Sequence, residues 1–386
     1  MIRRPPRSTQ SRSSAASDVY KRQGHFSEEE TVRFSVQVSG DLHRAARKMT
    51  IPGLDLLRDY TSYDVLPSTD WVGPDPRARI TVAKLIASTA EETGARRRLA
   101  EAYGVEDWDQ APARMKRLVD WLVSLGINLI NDNTLVYSLQ GFRKRRVSGK
   151  SFTTPWFRAY KHFAEHVGRV CYWATVGQPL EPVRVLYPTT SGWTLYGGLR
   201  AGSFEEALWE SMERALVETG DALTRIHRGW RFLFDDQLDR WGDRNPGFLC
   251  TEHDFCVIVI PALPVLTRSA GEALLEVARA GVTILIVGSA PCLTPDTEWD
   301  VRGFIAHLLT LPGVHHLPDP VWGIQYERWL DARIGTGPWA VGGPGSRWVI
   351  SSQRRDSTRD YLFVSNQAEQ PAELVISHDR LGDWEW

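Results

Sequence analysis

The chain is 386 residues long, with 42% hydrophobic and 24% charged side chains, an ordinary globular composition with material for roughly two or three domains. Its 46 basic and 47 acidic residues leave a formal net charge of -1, so bulk electrostatics exclude the strongly basic surfaces that hold nucleic acid or anionic membrane. No apolar run approaches a membrane span and no secretory signal opens the chain, which makes the cytoplasm the default location.

Residues Met1 to Gln23 are rich in Arg, Ser and Pro and carry no apolar period. They have no core to join and are expected to be disordered. The segment resembles the translated adapter read-through that opens many assembled environmental sequences, so the native start is expected to be missing and the fold is read from Gly24. His25 follows in a loop-like Gly-His, before the acidic run Glu28 to Glu30 and then Thr31 to Val38. Met49 to Leu57 carries Pro52 and Gly53 before Asp55, which is how a strand end or βα loop is punctuated. Asp55 is a candidate on the functional face, or equally a cap for a following turn.

After a loop rich in Pro and Asp, Ile80 to Thr93 reads as a helix with Val82, Leu85, Ile86 and Thr89 on one face. It feeds a short β-like run, Arg98 to Gly104, in which an apolar approach ends in Glu101, an aromatic and a glycine. A second helix, from about Ala111 to Gly126, has the stripe Met115, Leu118, Val119, Leu122 and Val123 and a glycine for its C-cap. The next strand, Ile127 to Ile130, delivers Asn131, Asp132 and Asn133 at its tip. This β/α alternation is that of a barrel or doubly wound sheet, where polar residues at C-terminal strand tips sit on the functional face. Glu101 is therefore read as catalytic; the competing reading is a solvated Glu in a charged region.

Tyr137 to Trp156 is a polar connection with the basic run Arg143 to Arg146, a solvated face, and with Phe152 and Trp156 able to wall a sugar subsite. A helix from about Phe157 to Val176 closes residues 24–177, and Gly177, Pro179 and Pro182 mark a boundary. Residues 178–321 then alternate again: strand Val183 to Tyr187, an aromatic loop with Trp193 and Tyr196, helix Phe204 to Thr219, strand Gly229 to Phe234 ending in Asp235 and Asp236, strand Phe255 to Ile260, helix Ser269 to Ala280, strand Thr283 to Val287. Continuous apolar strands between helices predict a parallel sheet covered on both faces, of flavodoxin or amidotransferase type. No GxGxxG or Walker loop supports nucleotide binding. In residues 322–386, the runs Trp348 to Ser351, Tyr361 to Val364 and Glu373 to Ile376 predict antiparallel strands of a β-sandwich that is itself expected to be cut short.

The chain has 16 tryptophans, an excess that suits either core packing or the stacking of sugar rings. The four cysteines, Cys171, Cys250, Cys256 and Cys292, are irregularly spaced and read as reduced, buried thiols.

Taken in order, GHFSEEE from Gly24, Gly40-Asp41, IPGLDLL from Ile51, AEAYG around Glu101, DWLVSLGIN from Asp120, GFRKR from Gly141 and PVRVLYPTTSGW from Pro182 resemble the large α-L-rhamnosidase-like group of multidomain glycoside hydrolases. The resemblance runs over essentially all of Gly24 to Trp386. It implies the second half of a (β/α)8 barrel, an amidotransferase-like α/β domain and the start of a β-sandwich. It also implies a carbohydrate substrate, with Gly24-His25, Asp55, Glu101 and Asn133 at successive strand ends and Glu101 in the place of the later catalytic carboxylate. The partner acid of such enzymes lies on earlier strands, which would precede Gly24, and Asp132-Asn133 stand where the family commonly has Pro-His.

Glycosidic cleavage needs two carboxyl groups, one protonating the leaving oxygen and the other serving as nucleophile or base. Glu101 is assigned the second role, while His25, Asp55, Asn133 and Trp156 are expected to bind the sugar; His25 is equally well read as a hydrogen-bonded structural residue. No cofactor is expected and no His/Cys cluster argues for zinc, while a carboxylate-held Ca²⁺ stays open. Two other classes compete: a non-catalytic carbohydrate-binding or scaffold protein, and a cysteine hydrolase of the amidotransferase kind. The latter needs a nucleophile on a sharp strand-to-helix turn, but after Val287 the chain reads GSAPC.

Overall fold

The structure is a computed structural model that describes residues 24–25, 32–57, 77–104, 110–133, 138, 140, 152, 154–196, 204–239, 257–335 and 337–379. The predicted leader, Trp108, the basic run 143–146, Cys250 and Cys256 lie outside these residues, as do the connections that follow each strand of the first sheet.

The first part carries β1 (Gly24–His25), α1 (Val32–Val38), α2 (Leu42–Ala46), β2 (Ile51–Leu57), α3 (Ala78–Thr93), β3 (Leu99–Gly104), α4 (Pro112–Ser124), β4 (Leu129–Asp132) and α5 (Tyr160–Trp173). Its four strands are all parallel and lie side by side in chain order. Such an arc, with a helix after each strand, is one segment of a β/α barrel. The predicted stripe of α4 is realised, with Met115, Leu118, Val119, Leu122 and Val123 all buried. Pro112 sits in its first turn, where the missing N–H loses nothing. Gly126, at φ 100°, turns the chain out so that Ile127 N–H closes onto the Leu122 carbonyl.

Helix α3 departs from the one-sided pattern predicted for it, because residues 79–90 are buried all round. It lies between β2 and the second part of the chain, and its polar side chains are paired there. Lys84 Nζ reaches Glu181 at 2.5 Å, Ser88 Oγ accepts the Phe232 N–H, and Thr89 Oγ1 bonds His43 Nδ1 at 2.9 Å.

The second part contains β5 (Gln178–Pro179), β6 (Val183–Tyr187), α6 (Thr189–Leu195), α7 (Phe204–Arg225), β7 (Trp230–Phe234), α8 (Asp235–Asp239), β8 (Val257–Pro261), α9 (Arg268–Arg279), β9 (Thr283–Val287), α10 (Val301–Leu308), β10 (Val314–Leu317) and α11 (Ile324–Ile334). Its parallel sheet runs β10-β9-β8-β6-β7, the strand order of flavodoxin-like sheets. The stretch holding Trp193, expected as an aromatic loop, is helix α6. Gly192 is required there because a Cβ would stand 3.0 Å from Val36 and 3.2 Å from Val32 of α1.

The third part has β11 (Trp339–Gly342), β12 (Val349–Arg355), β13 (Asp360–Asn366) and β14 (Val375–His378). They form a two-stranded sheet, β11-β14, and a three-stranded sheet, β13-β12-β5, all antiparallel. The three parts share one hydrophobic core, which runs from Leu54 and Ala102 through Val183 and Trp230 to Ile350. Among the described residues, no helix is long and apolar enough to cross a membrane. The architecture is thus a partial α/β barrel followed by a parallel α/β unit and short antiparallel sheets.

Candidate active site

Side chains alternate across a strand, so the register of the first sheet decides which residues meet. Asp55 of β2 stands opposite Glu101 of β3, and Glu101 opposite Asn131 of β4. On the other face, Leu54, Leu56, Ala100 and Ala102 are completely buried. That side is the seam with the helices, and Asp55, Glu101 and Asn131 face the inner side of the arc. Asp55 and Glu101 are both only 7% exposed, while Asn131 is open to solvent.

Asn133 completes the group from the end of β4. Its backbone N–H donates to the Ala102 carbonyl at 3.0 Å, extending the ladder by one residue, and its side-chain Nδ2 donates to Glu101 Oε1. The strand that carries Glu101 is deformed two residues further on. The pairing slips between Leu56 and Leu57, so that Leu57 stands opposite Gly104 and Tyr103 is skipped. Tyr103 takes φ 69°, a left-handed conformation that is uncommon outside glycine. Its ring is fully buried, its hydroxyl donates to the Met115 carbonyl at 3.0 Å, and it meets Phe163 edge-on. Bulges of this kind re-aim neighbouring side chains and recur beside active sites.

The register does not bring every predicted site residue to this place. His25 stands opposite Pro52, three positions short of the level shared by Asp55 and Glu101. Trp156 packs on the hydrophobic core and stacks on Tyr160 with ring centroids 6.5 Å apart. Tyr160 donates its hydroxyl to Asp132, whose register partner is Ala102 rather than Glu101. Trp156 therefore belongs to the helix side of the sheet, away from the carboxylates. Burial, reinforced by Asp132, pushes the Tyr160 phenol well above its ordinary range, so it is a hydrogen-bond donor at neutral pH. The bulge at Tyr103 and the Tyr160–Asp132 bond went unread in the sequence; an aromatic before Gly104 was their only local signal.

The cysteine reading finds no matching turn. After β9 the chain passes Gly288 at φ 73° and does not enter a helix until Val301; Cys292 lies between, its N–H donating to the Pro264 carbonyl at 3.1 Å. Cys171 is buried in α5, and burial pushes its thiol up to about 11, a reactivity too low for a nucleophile. Flavodoxin-like sheets bind ligands where β6 and β8 diverge. Here the fully buried Ser191 joins the segments that follow β6 and β8, its Oγ bonding both the carbonyl and the N–H of Val265. Among the described residues, no group of three or more His, Cys, Asp or Glu could hold a metal ion.

No protein-family model matches the chain, and no curated protein matches it either. Solved structures do share its fold, and they are glycoside hydrolases. The rhamnosidase from Novosphingobium sp. PP1Y superposes with a TM-score of 0.57 at 16% identity, covering 86% of this chain and 31% of that one. An exo-carrageenase GH42 from Bacteroides ovatus gives 0.51 at 10% identity, covering 88% and 48%. A β-galactosidase from the psychrophilic Marinomonas ef1 gives 0.51 at 12% identity, covering 88% and 62%. The chain spans less than two thirds of each of these proteins, and at such identities the likeness concerns the fold.

Proposed function

We propose that this chain is part of a glycoside hydrolase that cleaves O-glycosidic bonds, with Glu101 as its nucleophile or base. The observation that supports this most is the position of Glu101. It is a nearly buried carboxylate within a barrel strand, on the inner face, beside a second carboxylate in register and held by an amide, in a fold that known glycoside hydrolases share. An α-L-rhamnoside or a related glycoside is the proposed substrate class, in keeping with the rhamnosidase among the structural neighbours.

The chemistry follows from the placement. A glycosidase acid and its nucleophile or base stand across the scissile bond from each other. Asp55 and Glu101, in register on adjacent strands, stand side by side, their backbones about 4.8 Å apart. Asp55 is assigned to sugar hydroxyls, as the family resemblance implies. A buried carboxylate there favours a sugar that presents a hydroxyl donor to it. His25 and Trp156 are kept as weaker candidates for sugar contacts, because neither is brought to the carboxylates.

The parallel sheet of the second part is assigned a supporting role, with Ser191 joining the segments that follow β6 and β8. The test is hydrolysis of a panel of aryl glycosides, α-L-rhamnoside and β-D-galactoside included, by the polypeptide that carries these 386 residues. Release of the aryl group that Glu101→Gln abolishes supports the proposal. A fully folded protein that hydrolyses none of the panel counts against it.

A further inference from the structure

Three features of the molecule lie outside the reading above or sharpen it. A small cavity of about 30 Å³ at the junction of the three parts is lined by Lys84, Glu181, His227 and Trp230, but its charged groups are already paired and its volume suits solvent alone. A buried cluster of His43, Arg47, Glu92 and Asp236 joins α2 and α3 to α8 and is explained by its contacts. The third feature, the amide of Asn133 on Glu101, carries further.

Two negative charges at in-register positions on one face of a sheet repel each other, and burial strengthens the repulsion. Asp55 presses on Glu101 in this way from β2. On the opposite flank, the residue in register is Asn131, which is open to solvent, and Asp132 is engaged by Tyr160 on the far face of the sheet. The group that meets Glu101 is the amide of Asn133, whose own backbone is pinned to Ala102. An amide N–H on a carboxylate fixes its rotamer. It also uses Oε1, which leaves Oε2 as the oxygen free to act.

We propose that Asn133 is a positioning residue for Glu101, holding Oε1 so that Oε2 is presented to the anomeric carbon or to the attacking water, rather than a direct contact for sugar hydroxyls. This rests on the glycosidase reading of Glu101. It assigns Asn133, in the place where the resembling family commonly has histidine, a role in aiming the carboxylate.

Two measurements test the assignment. In the 386-residue chain, uniformly labelled with ¹⁵N, the Asn133 side-chain amide is expected to show one proton shifted downfield of free asparagine amides. Glu101→Ala is expected to collapse that shift while the backbone amide spectrum is preserved. In the polypeptide that shows glycosidase activity, Asn133→Ala is expected to lower kcat roughly ten- to hundred-fold, the effect of one hydrogen bond to a charged group, with KM nearly unchanged. Asn133→Gln, which keeps a donor, is expected to recover part of the loss.

An amide signal indifferent to Glu101→Ala overturns the assignment whatever the kinetics. So does a rise in KM at constant kcat, which marks a substrate contact. If the parent itself hydrolyses no glycoside, the glycosidase reading fails and the assignment with it, and that failure is recognised because it appears before any substitution.

Discussion

His227 makes the stability of the chain depend on pH in a predictable direction. It lies in the turn between α7 and β7 with φ 58° and is only 5% exposed. Its Nδ1 accepts from the Ser351 hydroxyl at 3.1 Å and its Nε2–H donates to the Ser346 carbonyl at 3.1 Å, so the neutral ring ties the parallel sheet to β12. Burial, with Arg228 adding to it, depresses its pKa from 6.5 to about 4 against the opposing pull of the Ser346 carbonyl. The unfolded chain therefore takes up the proton first. The contribution of the neutral ring is fully present above pH 6.5 and is lost as the pH falls toward 4.

At roughly 1.4 kcal/mol per tenfold change in proton affinity, the full effect is about 3 kcal/mol, of which about 2.5 kcal/mol is lost between about pH 7.5 and about pH 4.5. Urea unfolding at those two pH values measures it. His227→Asn tolerates the left-handed backbone and keeps an amide at the level of Nδ1, facing Ser351, but does not titrate. In that variant the pH-dependent loss is expected to shrink by about 2.5 kcal/mol. An unchanged loss would refute the reasoning.

Other outcomes follow from the packing. Lys84→Met strands the Glu181 carboxylate in a buried seam and is expected to destabilise by about 3–5 kcal/mol, with Glu181→Gln added to it restoring most of the loss; denaturation of the single and double variants checks this. Tyr103→Phe removes the hydroxyl that holds the bulge to Met115 and is expected to cost about 1 kcal/mol in unfolding, with a larger effect on kcat than on KM, because the bulge lies two residues after Glu101 on the same strand. Leu99 and Leu129 are only half-buried on the inner side of the arc, so the isolated chain is expected to bind a hydrophobic dye more strongly than a longer polypeptide that covers that face.

Much of the fold was legible because it is written in local patterns. The stripe of α4, the continuous apolar strands of the second sheet and the placing of Glu101 on a strand after a helix all follow from periodicity. What was not legible depends on parts of the chain far away in sequence. The all-round burial of α3 requires β7 and α7 on its far side, which no window over residues 80–93 contains. Thr189 to Leu195 looks like a loop because of Gly192, yet that glycine makes room for Val32 and Val36. The strand Val314–Leu317 holds two histidines, His315 and His316, and lacks the apolar run of its neighbours because it is the edge of the sheet. At the site, the β/α alternation and the family resemblance pointed to Glu101, Asp55 and Asn133, while spacing alone left Glu101 equally readable as a solvated residue; only the register sets the two carboxylates side by side and turns Asn133 toward Glu101. Trp156, chosen because an aromatic can stack on sugar, packs on the hydrophobic core and stacks on Tyr160.

The proposed role of Glu101 is in chemistry rather than in folding. In the polypeptide that carries this chain, kcat for an aryl glycoside is compared between the parent and Glu101→Gln, with unfolding followed in parallel. Glutamine keeps the volume of the side chain and its acceptor for Asn133 but removes the charge that stabilises an oxocarbenium-like transition state. With Glu101 in a catalytic role, kcat is expected to fall roughly a thousand-fold or more while stability changes by no more than about 1 kcal/mol. An unchanged kcat in a folded Glu101→Gln protein would contradict it.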